Sequence, residues 1–370
     1  MLARFGLIRP NVRFSFMRIG ERARVWLKIA GGALVGVACL WLSLRYVRPE
    51  LFARALAAAS WPWVAVALAG VTLIGAIKAL RWQWLYPPDA RPATWRTHFS
   101  ILMISQMLNL LVSVIRLGEL ARMELMRQEG RPVGMTLGTI VLEKSLDLLA
   151  VQALLLLVVP LAILPGWLRA RTGISALALG IGLLAVLLLV SRYRDRLLAL
   201  LSRIPEPRNP FWARWADRLR RLLQTTLESI AALSGLRLLR AAALTTSIWL
   251  GSAAVLVAML SAFHIPPDWG AAFVLMMALT FSNWVPTPPA MIGVVGAVTV
   301  AVLAPFGVPP ASALALGTVL NVVLVAPPVF LGIWATWVRL LRLPGAPGRL
   351  NQALGLAAPG SPEPGDRTLG

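Results

Sequence analysis

The chain has little of what most soluble proteins use for chemistry. Among its 370 residues there is a single cysteine, Cys39, so no disulfide framework can form within one chain and a thiolate metal site is not expected. The two histidines, His98 and His264, lie far apart and give no metal-ligand spacing. Charged residues make up 14% of the chain, against about 25% in an average soluble domain. Acidic residues are scarcer still, 15 against 36 Lys and Arg, for a formal charge of +21.

What is abundant is apolar. Hydrophobic residues make up 58% of the chain and the mean hydropathy is +0.75. A soluble protein of this size would leave too much of that surface in water. Apolar runs fall at 25–44, 61–80, 97–117, 133–160, 173–191, 241–263, 270–304 and 311–338. A helix rises about 1.5 Å per residue, so about 20 residues cross a hydrocarbon layer of about 30 Å. The runs are too long for the short alternating strands of a membrane barrel. The composition therefore predicts an all-α, polytopic helical membrane protein.

The excess of arginine has a topological reading. Six arginines lie in residues 1–24, eleven in 192–240 and three in 339–349. Cytoplasmic loops collect Lys and Arg, and anionic headgroups attract them. That placement argues against nucleic acid as partner. It puts both termini in the cytoplasm, and no cleavable signal peptide is expected. Residues 1–24 read as a basic arm, 25–342 as the membrane domain and 343–370 as a disordered Pro- and Gly-rich tail. Within the domain, 205–236 carries Trp212, Trp215, Leu219 and Leu222 at helical spacing beside Arg214, Arg218 and Arg221, the pattern of an amphipathic interfacial helix.

Two runs are not simple spans. Residues 97–117 contain Ser105, Gln106, Asn109 and Ser113, and 270–304 is interrupted by Pro286, Pro288 and Pro289. Proline blocks helix continuation, and freed carbonyls cannot face lipid. Reading both as broken or re-entrant hairpins, entered from opposite faces, keeps the arginine-rich segments on one side. The expectation is about six full crossings plus two hairpins. One fact resists it: loop 45–60, external in this scheme, carries Arg45, Arg48 and Arg54. The two runs also echo each other. Asn109 and Gly118 answer to Asn283 and Gly293, then come Gly130 and Gly307, then Gly138-Thr139 and Gly317-Thr318. This suggests an inverted repeat.

Charges stand where a bilayer disfavours them. Glu143, Lys144 and Asp147 lie inside run 133–160, with Glu143 about 15 Å past Val133. Each costs roughly 2.5–3.5 kcal/mol at a helix centre, so they need partners or a wet cavity. Arg116, Glu119 and Arg122 follow the first broken run at spacing three, with Gly118 between them. Arginine's planar fork grips phosphate or carboxylate at two points. One reading is a headgroup site for a phosphate, steadied by Glu119, Glu143 and Asp147. The other is an ion-pair network that locks the hairpin to its neighbour. Lys78, Arg81 and Trp82 close the second span and read as an interfacial anchor, with a headgroup contact as the alternative.

These residues resemble the lysylphosphatidylglycerol synthase transmembrane-region family, also called flippase-like. The carriers are Lys78-Ala79-Leu80-Arg81-Trp82, Arg116-Leu117-Gly118-Glu119-Leu120-Ala121-Arg122 and Glu143-Lys144-Ser145-Leu146-Asp147, with Pro288-Pro289-Ala290-Met291-Ile292-Gly293-Val294 and Phe306-Gly307-Val308 later. The family includes the membrane half of the bacterial multiple peptide resistance factor, which moves aminoacylated phosphatidylglycerol between leaflets. The resemblance implies lipid translocation in a bacterial inner (plasma) membrane. Expected partners are an anionic phospholipid, a hopanoid or a polyprenyl-linked lipid, and either a second copy of the chain or an envelope-lipid enzyme.

No cofactor and no synthase reaction are expected, since no stretch between spans is longer than 192–240. The alternatives are a non-catalytic partner in an envelope-lipid assembly and a membrane-embedded transferase. The second is disfavoured by the lack of an Asp-x-Asp motif. The chain departs from the family pattern at Val294-Val295-Gly296, where an acidic residue is common, and at Asn321, where a basic one is.

Overall fold

The computed structural model describes residues 48–87, 94–112, 117–158, 236–282 and 288–341, with a few positions between 182 and 226. The described elements are helices: α1 (Pro49–Ala57), α2 (Trp61–Leu85), α3 (Trp95–Leu111), α4 (Leu117–Gln128), α5 (Val133–Val158), α6 (Leu236–Ala262), α7 (Trp269–Ser282), α8 (Val294–Leu303) and α9 (Pro310–Leu341). Short 3-10 turns at Pro289–Met291 and Ala304–Phe306 flank α8. The expected basic arm, the first span and the C-terminal tail lie outside the described residues. So do nearly all of span 173–191 and most of segment 205–236.

Three helices, α2, α6 and α9, are long and apolar enough to cross a membrane. Helix α5 matches them in length, with 26 residues, but carries Glu143, Lys144 and Asp147 in its middle. The tryptophans mark two levels. Trp63 and Trp84 are exposed near opposite ends of α2 and lie about 31 Å apart along it, the thickness of the hydrocarbon layer. Trp61, Trp95 and Trp269 are exposed as well. Exposed tryptophans near helix ends are what an aromatic belt is made of.

The core is built by close helix contact, since lipid provides no hydrophobic drive between helices and packing must supply it. Helix α2 packs most extensively along α6, and α9 along α3 and α8. A Cβ on Gly317 of α9 would stand 2.8 Å from the Cα of Gly296 in α8, so only glycines let these backbones approach so closely. Helix α9 runs through Pro327 and Pro328, both buried. The backbone groups that these prolines leave unbonded are thereby kept from lipid.

The chain gathers its connections at two ends. At one, Ser60 N donates to Ala262 O at 2.8 Å and His264 Nε2 lies 3.0 Å from Ala58 O. Helix α1 packs on α9 there. At the other, Tyr86 meets the start of α3 through His98, with ring centroids 5.3 Å apart. It also meets the turn after α4 through Arg131, at 5.0 Å, and the start of α5 through Thr136. Arg339 of α9 pairs with Glu129 at 2.5 Å at this end, and Thr226 of the Arg-rich segment donates to Gly134 O at 3.1 Å.

The element order after each break recurs. Helices α3 and α4 are followed by Gly130 at φ 79° and the long α5. Helices α7 and α8 are followed by Gly307 at φ 75° and the long α9. The turn at Pro289–Met291 touches α3, so the two broken regions meet.

Candidate functional site

The site grows from the last two turns of α2. Residues 78, 81, 82 and 86 share one face at helical spacing, and that face looks onto α5 and α6. Arg81 is fully buried. Its Nη1 donates to Asp147 Oδ1 at 2.5 Å and to Thr245 Oγ1 at 2.9 Å, and its Nη2 donates to Asp147 Oδ2 at 3.2 Å. Glu143 Oε1 stands 3.7 Å from the same Nη2. The expected interfacial anchor is thus corrected: Arg81 turns inward, because two carboxylates one helical turn apart on α5 offer its fork a better partner than water.

Glu143 joins a second arginine. Arg122 Nη2 of α4 donates to Glu143 Oε2 at 2.6 Å, and its guanidinium lies 4.0 Å from the centroid of Trp82. Trp82 Nε1 in turn donates to Thr139 Oγ1 at 3.0 Å. Glu143 is therefore flanked by two guanidinium groups, with Arg81 and Arg122 both buried. This network solves the repulsion expected of Glu143 and Asp147 on one helix face: arginines sit between and beside them. Lys144, by contrast, is half exposed and stands 3.9 Å from Glu119.

The first broken region is clipped by its own polar residues. Asn109 Oδ1 accepts from Gly118 N at 2.8 Å, and Asn109 Nδ2 donates to Glu119 Oε2 at 3.2 Å. One side chain thus satisfies an open amide at the start of α4 and ties it to α3. Gly118 is needed because a Cβ there would collide with Ser105 O and the Asn109 side chain. Near the end of α2, burial pushes the Tyr86 phenol up from its ordinary range, so it stays a donor to Thr136.

Of the expected site residues, Arg81, Arg122, Glu143 and Asp147 come together, and Asn109, Gly118 and Glu119 form an adjoining clip. Gly293 adopts φ 80° at the start of α8 and shapes the second break. Arg116 and Asn283 lie outside the described residues. The lysylphosphatidylglycerol synthase TM region model matches residues 28–332, most of the chain. The chain belongs to this family. No curated protein and no solved structure matches it.

In this family member the charge network borders a cavity of about 290 Å³. Helices α2, α3, α5, α6, α7 and α9 all contribute to its wall. Its polar lining is Lys78, Gln106, Asp147, Trp249, Ser252 and Thr280. Sequence reasoning left Trp249, Ser252 and Thr280 unremarked. Hydroxyls and one indole on otherwise apolar helices carry no signal until packing brings them to one space. Lys78 was legible in part, since it lies one turn before Arg81 and shares its face.

Proposed function

We propose that the chain is a lipid translocase, with the cavity beside Asp147 as the polar station for a headgroup between leaflets. The observation that carries the reading is the buried Arg81–Asp147–Glu143–Arg122 network bordering a cavity among apolar helices. Charges persist in such a place where they pair and face a protein interior or a polar space. A cavity of about 290 Å³ is just below the usual ligand-pocket range of about 300–1,000 Å³, which suits a headgroup better than a whole lipid. The acyl chains would remain in the bilayer.

In this reading the two broken regions are re-entrant hairpins of an inverted repeat, each leaving by the end it entered. The lengths support it: α4 spans about 18 Å and α7 about 21 Å, too short to cross. The end that gathers Arg127, Arg131, Arg339 and the Arg220–Arg221 segment faces the cytoplasm of a bacterial inner membrane, as the positive-inside rule requires. Arg116, which precedes α4 in sequence, would help to hold the headgroup phosphate. The test is transbilayer movement of labelled phospholipid in vesicles holding the purified chain. Movement should be fast with the native chain and slow with Arg116→Ala combined with Glu143→Gln; unchanged movement would remove this site from the route.

A further inference from the structure

Asp147 answers to two cations. Arg81 holds both of its oxygens. Lys78, one turn before Arg81 on the same face of α2, shares the cavity wall with Asp147 and is attracted by it across that space. Glu143 attracts Lys78 as well, while Arg81 and Lys144 repel it. Two attractions are thus opposed by two repulsions. The other wall positions add no charge: Gln106 of α3, Trp249 and Ser252 of α6 and Thr280 of α7 are neutral, and α9 contributes Leu324 and Pro328. Arg122 and Glu119 of α4 are engaged elsewhere, with Glu143 and Lys144.

These groups differ in whether they can change state. Arg81 and Arg122 carry guanidinium groups, which keep their protons. Asp147 and Glu143 are each committed to a guanidinium, Asp147 at two points and Glu143 at 2.6 Å. None of these contacts reaches Lys78 among the described residues. A lysine, unlike an arginine, can give up its proton inside a protein, and an ammonium among apolar helices is costly without an anion beside it. What occupies the cavity therefore decides the charge of this nitrogen. Water can deliver the proton. The cavity of about 290 Å³ has room for water and polar partners for it. Ser252 and Thr280 donate their hydroxyl hydrogens to Ile248 O and Met276 O, each at 2.8 Å, so their oxygens are left to accept.

We propose that Lys78 is the proton-carrying group of the cavity and couples the entry of an anion to the uptake of one proton. The amine takes a proton from water as the anion enters and returns it as the anion leaves. Ammonium and anion then offset each other, and Asp147 stays with Arg81 throughout. Each anionic headgroup would cross with one proton and no net charge, so a pH difference between the two sides would drive it. The inference rests on the translocation reading for its purpose and adds an energy source to it, while the proton step is measured without transport.

The experiment is calorimetry of the full chain in detergent, titrated with dihexanoyl phosphatidylglycerol in buffers of low and high ionisation heat. This phosphodiester keeps its single charge around neutral pH, so any proton taken up is the protein's. The native chain should take up about one proton per lipid bound. Because binding consumes a proton, its affinity should fall as the pH rises, by up to about tenfold per unit. Lys78→Arg, whose charge is permanent, and Lys78→Gln, which has none, should both bind without proton uptake. No binding by the native chain, or binding without proton uptake, would overturn the inference. Uptake that persists in both variants would assign the proton to another group and overturn it as well. In vesicles with a pH difference of about one unit, labelled phosphatidylglycerol should collect on the alkaline side, by up to about tenfold. Fast movement to an even distribution would remove the coupling and leave the translocation reading standing. No movement, beside proton-linked binding in detergent, would remove that reading and leave the proton site.

Discussion

Arg81 and Asp147 meet as a two-point pair, both Nη atoms of the arginine on both oxygens of the carboxylate, at 2.5 and 3.2 Å. One comes from the end of α2 and the other from the middle of α5. The pair fixes the two helices in register and forms one wall of the cavity. Removing one partner of a buried pair leaves the other uncompensated, at about 3–5 kcal/mol. Arg81→Gln or Asp147→Asn alone should therefore lower the unfolding midpoint in detergent sharply. The double variant should recover part of the loss, with a coupling of about 1–3 kcal/mol in a double-mutant cycle. Strict additivity would show that the contact is not made.

Trp82 holds Arg122 by its ring face and Thr139 by its N–H. Trp82→Leu should cost about 0.5–2 kcal/mol for the lost cation–π contact, plus the packing loss, in the same unfolding measurement. Trp82→Phe keeps a ring under Arg122 and should fall between the two.

The break between α3 and α4 depends on Asn109 and Gly118. Asn109→Ala removes two hydrogen bonds and should destabilise by about 1–3 kcal/mol. Gly118→Ala should cost more, because its Cβ meets the Ser105 carbonyl, which is backbone and cannot move aside. Limited proteolysis near residues 113–116 should speed up in both variants, and most in Gly118→Ala.

How much of this was legible in sequence differs by residue. Glu143 and Asp147 stood out because charges four apart in an apolar run demand partners. Arg122 is legible as a partner from its spacing after the first break. Arg81 reads from sequence as an interfacial anchor, with a headgroup contact as the alternative, because it lies near the end of a span, where snorkelling is the common outcome. Only packing reveals that the end of α2 is enclosed by α5 and α6. The long helices could be read from length and hydropathy, and the breaks from proline and polar residues. The cavity could not, since its walls come from six helices distant in sequence and most of its lining side chains are apolar residues with no mark of their own.

Side assignment gives a further test. In a Cys39→Ser background, Gly130→Cys and Leu341→Cys should react with an impermeant maleimide from one face of the membrane. Glu50→Cys and Asp268→Cys should react from the other. Labelling of Gly130→Cys and Asp268→Cys from the same face would undo the arrangement of both hairpins.

If Lys78 is kept for a ligand and not for the fold, removing it should stabilise the empty protein. Lys78→Met should raise the melting temperature of delipidated chain. Added phosphatidylglycerol should then stabilise the native chain more than the variant. A fall in melting temperature would mean that Lys78 is already paired.

Passage of lipid beside the Arg81–Asp147 pair is tested most directly by the rate at which labelled phosphatidylglycerol changes leaflet in vesicles holding either the native chain or a folded Lys78→Gln chain, against protein-free vesicles. Movement should be fast with the native chain and near the rate of empty vesicles with the variant. Equal rates in all three preparations would contradict it.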